Sequence, residues 1–169
     1  MQRLIFLGLV AIALILVTGT LLEPVLHPKP TARLAAEPHF AGRVLTVDGS
    51  TDLPGGTIIT YSVWHELMDQ TLRSAVAADD ILSYVPPPYE TYATTAVRDG
   101  HFKFVLDLTS WPAGSITVWA AFEPSAEQPP ETVARFGSYG ERLAGPAVVR
   151  DSDGRRLVWH TQVELPAPR

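Results

Sequence analysis

The chain has 169 residues, 18 acidic against 13 basic side chains for a formal net charge of -5, and no cysteine. That length fits one domain with a real hydrophobic core beside an N-terminal segment, and leaves no room for a second domain. The missing thiols exclude a disulfide framework, a lipidated cysteine, a thiol nucleophile and a cysteine-ligated metal, and interspersed charges offer no basic stripe for a nucleic-acid partner.

Residues 4–22 carry no charge, and at about 1.5 Å per residue they extend roughly 28 Å, close to the hydrocarbon thickness of a bilayer. They read as a transmembrane signal anchor within residues 1–23, which makes the membrane the first partner and places the domain outside the cell. The alternative is a cleaved signal peptide, with Arg3 as basic start, an apolar core over residues 4–17, and Val17-Thr18-Gly19 before a cut near Gly19 that would release a secreted domain. Against cleavage, the apolar run resumes at Leu21-Leu22 and the small-residue site is poor. Residues 24–38, with Pro24, Pro28, Pro30 and Pro38, read as a semi-extended tether.

Residues 39–166 form the expected domain. A first strand over 40–47 stops at Asp48-Gly49, a dipeptide that favours a tight turn. After Leu53-Pro54-Gly55-Gly56, residues 57–64 are rich in β-branched and aromatic side chains and predict a second strand. Residues 91–97 and 101–108 flank Asp99-Gly100 as a hairpin, with Phe102, Phe104, Leu106 and Leu108 on one core-facing side. Residues 115–122 follow the Trp111-Pro112-Ala113-Gly114 turn with Ile116, Val118, Ala120 and Phe122 inward. Pro129-Pro130 opens one or two helical turns over 131–136 that end at Gly137. Residues 147–150 and 155–165 form a terminal hairpin about Asp151-Ser152-Asp153-Gly154. Between the strands, Leu67, Thr71, Ser74 and Ala75 with Met68, Leu72 and Val76 predict a short amphipathic helix, and Pro86-Pro87-Pro88 ends it. The sum is an all-β sandwich of about seven strands, immunoglobulin-like or transthyretin-like in class.

The order Gly42-Arg43-Val44, Leu53-Pro54-Gly55-Gly56-Thr57-Ile58, Asp99-Gly100-His101-Phe102 and Gly114-Ser115-Ile116-Thr117-Val118 resembles the carboxypeptidase regulatory-like family. The resemblance covers residues 40–122. It departs at the insertion over 66–97 and at residues 129–165, which do not align. It implies a transthyretin-like sandwich and a structural or binding accessory, and because the family shares no catalytic residues it transfers architecture without chemistry.

His65-Glu66-Leu67-Met68-Asp69 stands one residue away from the H-E-x-x-H zinc motif, with Asp69 in place of the second histidine and no third ligand in evidence. The plainer reading is a polar strand exit with His65 near the surface. Asp151 and Asp153, with Asp48 and Asp52, offer oxygens of the kind calcium prefers, but too few, and Glu164 is too distant for the bidentate position. Pro86-Pro87-Pro88-Tyr89 reads as a rigid exposed loop before it reads as a polyproline ligand. No catalytic residue, metal or cofactor is assigned. Flat amphipathic rings suit sugar stacking; Trp111, expected to be exposed because it precedes a turn, Tyr89 and Tyr139 are the candidate ligand-binding residues.

The expectation is a non-catalytic accessory or protein-interaction module at the cell envelope, with an envelope protein or a glycan as partner. A carbohydrate-binding module is the alternative, and a secreted hydrolase comes last. An exposed row of two or three rings would point to sugar, a flat apolar patch beyond about 600 Å² to protein, and a deep polar cleft to catalysis.

Overall fold

Eight strands and two helices fill the residues that the computed structural model describes, 29–78 and 87–168. The expected anchor and its cleavage alternative lie outside the described residues. Among the described ones, no helix is long and apolar enough to cross a membrane. The folded unit is residues 31–169, and β1 (Leu34–Ala41) begins inside the stretch expected as tether.

The strands form two antiparallel sheets. The first has three strands in the order β1-β2-β5, with β2 (Val44–Thr51) central and β5 (His101–Asp107) outermost. The second has five strands in the order β4-β3-β6-β8-β7. These are β4 (Glu90–Ala96), β3 (Ile58–His65), β6 (Gly114–Phe122), β8 (Gly154–Leu165) and β7 (Val148–Asp151). One core joins the sheets: Leu45, Val47, Phe102 and Phe104 from the first meet Ile59, Tyr61, Val63 and Val118 from the second. Tyr61 stacks flat on Phe104 at 4.0 Å between ring centroids, which fixes the spacing of the two layers.

The two-residue periodicity expected of β5 and β6 is present. Phe102, Phe104 and Leu108 are buried with Leu106 partly so, and Ile116, Val118, Ala120 and Phe122 are buried. The terminal hairpin also forms as expected, from β7 and β8. α1 (Glu66–Ala77) occupies the predicted amphipathic segment, yet none of its residues is buried. α2 (Pro130–Phe136) starts on the Pro129-Pro130 pair and ends at Gly137, and Phe136 packs edge-on to Phe122 at 5.4 Å. Gln128 fastens this segment to β3: its Oε1 accepts from Ile58 N–H at 2.9 Å, and its Nε2 donates to Ile58 O and Glu123 O at 3.0 Å each.

Two expected turns behave differently. Asp48-Gly49 is not a turn, because the chain reverses earlier, at Gly42-Arg43, and β2 runs on through it. Gly49 lies directly opposite Phe102, whose ring covers the glycine so closely that a Cβ there would fall 2.0 Å from Cζ. The glycine is a seat for a ring. Asp99-Gly100 is a turn, with both residues at positive φ (51° and 76°) and Arg98 and His101 exchanging backbone hydrogen bonds. Its strands then part, β4 pairing with β3 and β5 with β2. The expected hairpin is therefore a crossing between sheets.

Candidate functional site

The three ring candidates do not converge. Trp111 is only 8% exposed. Its expected exposure fails because Arg43 reaches across from the β1–β2 turn and donates to the carbonyls of Leu108, Trp111 and Pro112, drawing the loop inward. Tyr89 packs partly buried between Trp111 and His65, tilted at 6.2 and 6.1 Å. Tyr139 is 71% exposed, in a turn where Glu141 accepts from its N–H at 3.1 Å and its own carbonyl accepts from Arg155 N–H at 3.0 Å. Of Pro86-Pro87-Pro88-Tyr89, Pro86 and the preceding residues 79–85 lie outside the described residues, and Tyr89 faces inward.

The zinc-like and calcium-like patterns have structural uses. His65 is 1% exposed, not at the surface. Its Nδ1 accepts from Leu67 N–H at 3.2 Å, capping α1, which satisfies one of the open amides of the first turn. Its Nε2 lies against Gly114 and has no hydrogen-bond partner among the described residues. Asp151 pairs with Arg156 at 2.7 Å and accepts from Asp153 N–H at 3.0 Å. Asp48 pairs with Lys103 at 3.1 Å, and Asp52 accepts from Arg33 N–H at 2.7 Å. Among the described residues no three His, Asp or Glu side chains gather as a metal would require. Cavities along them are open hollows, such as the one of about 310 Å³ between Ala96 and Lys103.

A different surface emerges from the register of the five-stranded sheet. Because Tyr61 and Val63 face the core, the alternate residues of β3 face outward with their neighbours on β4, β6 and β8. One cross-strand row reads Tyr92, Ser62, Trp119, His160, and the next reads Glu90, Trp64, Thr117, Gln162. Tyr92 is 66% exposed, and Trp64 and Trp119 are partly exposed. At about 4.8 Å between strands, Tyr92 and Trp119 stand roughly 10 Å apart with Trp64 beside the gap. Ser62 between them is 6% exposed, and its hydroxyl lacks a hydrogen-bond partner among the described residues. None of these residues makes an ion pair among the described residues. The ion pairs of this sheet join Arg156 to Asp151 and Glu123 at its β7 end.

Among the described residues the row ends at a sheet edge, and β4 pairs with β3 alone. Its backbone bonds at either end, His65 N–H to Tyr89 O at 3.0 Å and Val97 N–H to Thr57 O at 2.9 Å, fix the alternation of the ladder. Thr91, Ala93 and Thr95 point their amides toward β3, and Glu90, Tyr92, Thr94 and Ala96 point theirs away. Sequence reasoning missed this surface. Its only sequence signal was the aromatic and threonine content of residues 90–96, and the row itself exists only once the register is known.

No family model matches the chain, and no curated protein matches it.

Proposed function

We propose that the chain is a non-catalytic accessory module at the cell envelope. Residues 4–22 hold it outside the membrane, and it binds a polypeptide partner through the β4 edge and the adjoining outer face of the five-stranded sheet. The resemblance of residues 40–122 to carboxypeptidase regulatory-like domains supports this reading, as does the two-sheet architecture, which suits the transthyretin-like class. The observation that carries it is the β4 edge. A row of unpaired amides and carbonyls is a template that another extended backbone can complete, and neighbouring side-chain positions add selectivity.

The test is affinity capture of the tagged full-length protein from its native membrane, with Thr94→Lys and His39→Ala run beside the wild type. A lysine at the centre of an edge strand opposes pairing. The expected result is a stoichiometric envelope protein lost with Thr94→Lys and kept with His39→Ala. Equal recovery with both variants would overturn the reading.

A second reading rests on the ring row. Tyr92, Trp64 and Trp119 present flat amphipathic faces among hydroxyls, the chemistry that stacks on sugar rings. A glycan array in which Tyr92→Ala abolishes a wild-type signal would favour it over the protein partner, and an array silent for both would remove it.

A further inference from the structure

His65 closes β3 and opens α1: it is the last residue of the strand and the N-cap of the helix, and it is 1% exposed. Its Nδ1 accepts from Leu67 N–H at 3.2 Å, so Nδ1 carries a lone pair and the neutral ring carries its hydrogen on Nε2. A doubly protonated ring donates from both nitrogens and accepts at neither. The cap and the imidazolium therefore exclude one another.

Little else holds α1. None of its residues is buried, and the hydrogen bonds that Thr71, Arg73 and Ser74 donate stay within the helix. Among the described residues none of its side chains makes an ion pair. A helix of 12 residues is marginal in water without packing or caps, so losing the cap frays it. A Cβ built on Gly114 would lie 3.0 Å from His65 Nε2 and 3.2 Å from Glu66 Oε1, which puts the ring edge and the carboxylate beside the same glycine. No hydrogen bond joins them while the cap is made. Tyr89 packs on the ring at 6.1 Å and its carbonyl accepts from His65 N–H at 3.0 Å. Asp69 and Glu90 lie on the adjoining stretches of chain, the Arg43 guanidinium is committed to the carbonyls of Leu108, Trp111 and Pro112, and β6 carries no titratable side chain. Glu66 is thus the anion placed to accept from an imidazolium that has left the cap.

We infer that His65 is a proton-operated catch for α1. Neutral, it caps the helix; protonated, it gives up the Leu67 amide, turns to Glu66 and releases the first turn. The capped state excludes the second proton and the released state admits it, so a fall in pH favours release and a rise restores the cap. Tyr89 leads into β4, so the catch adjoins the proposed binding edge, but it operates whatever that edge binds.

The test is amide hydrogen exchange of the full-length chain in detergent over a pH series from about 8 to about 5, corrected for the pH dependence of the unprotected rate, with the amides of β6 as internal reference. Protection of α1 is expected to fall at least about tenfold across the series while β6 stays protected. His65→Asn keeps an acceptor in the capping position and takes no proton over that range, so its α1 stays protected throughout. Glu66→Gln keeps the cap and removes the anion, and moves the release to lower pH by about half a unit. Wild-type protection of α1 that does not change with pH, a loss in His65→Asn as large as in the wild type, or a loss of β6 together with α1 overturns the inference. Should His65→Asn fail to fold, Glu66→Gln decides: a release moved to lower pH upholds the catch, and an unmoved one overturns it.

Discussion

The two outward faces of the sandwich obey the same alternation and carry opposite chemistry. On the three-stranded sheet the exposed rows read Glu37, Asp48, Lys103 and His39, Thr46, Val105, with Asp48 and Lys103 paired across strands at 3.1 Å. On the five-stranded sheet they read Tyr92, Ser62, Trp119, His160 and Glu90, Trp64, Thr117, Gln162. The first face meets its own charges and is bounded by guarded edges, as a solvated surface should be. The second holds rings on either side of a hydroxyl that has no hydrogen-bond partner among the described residues, and it ends at a strand that pairs on one side only among them. Alternation alone specifies which residues point outward, and the composition of the outward set distinguishes a surface made for water from one made for contact.

Both faces hang on the one core between them, so the largest effect comes from breaking that core. Phe104→Ala removes the ring stacked on Tyr61 and is expected to cost about 3–5 kcal/mol, read as a fall in the denaturant midpoint with both faces lost together. A cost under about 1 kcal/mol would mean that the sheets do not depend on that stack. Next comes the contrast itself. Tyr92→Ala is expected to weaken partner binding by about tenfold or more while leaving the melting temperature near the wild type, and His39→Ala is expected to change neither. Equal effects would erase the distinction between the faces.

Smaller changes sharpen it. Ser62→Ala removes a buried hydroxyl without a partner and is expected to leave stability unchanged or raise it by about 0.5–1 kcal/mol. A loss of comparable size would reveal a hydrogen bond at that hydroxyl. A double-mutant cycle on Asp48 and Lys103, both about half exposed, should return a coupling of no more than about 0.5 kcal/mol, as befits a face that only needs to stay wet. The smallest effect concerns Asp107 at the end of β5. Hydrogen bonds from the Thr109 hydroxyl and amide hold its carboxyl below the usual carboxylate range. Its contribution is therefore present above the ordinary aspartate range and lost as the pH falls through the lowered value of the folded state. Asp107→Asn should remove a shallow acid dependence of the melting temperature and leave the rest of the profile alone.

Much of the layout could be read along the chain. β3, β5, β6 and the terminal hairpin follow from β-branched runs and period two, and α2 follows from Pro129-Pro130 and Gly137, because those signals are local. Where the reading failed, a distant residue decided. Asp48-Gly49 has the composition of a turn, but Phe102, 53 positions after Gly49, sits on the glycine and holds it in a strand. Trp111 stands beside a turn, but Arg43 draws its loop inward. Asp99-Gly100 makes the turn that its residues demand, yet nothing in those residues says that the next strand joins the other sheet. Of the three named ring candidates, only Tyr139 is exposed. The row of Tyr92, Ser62, Trp119 and His160 draws its members from residues 62 to 160 and becomes visible only when four strands are placed in register.

The most direct test of the central claim is amide hydrogen exchange of the full-length chain in its native membrane or at high concentration in detergent, resolved at β4. In a chain with an uncovered edge, the inward amides of Thr91, Ala93 and Thr95 are protected and the outward amides of Tyr92, Thr94 and Ala96 exchange freely. The account predicts that the outward set is protected as well, and that protection at Tyr92 and Thr94 is lost on dilution or with Thr94→Lys. Free exchange at those amides under every condition, with the inward set protected, would show that nothing binds the edge and would contradict the account.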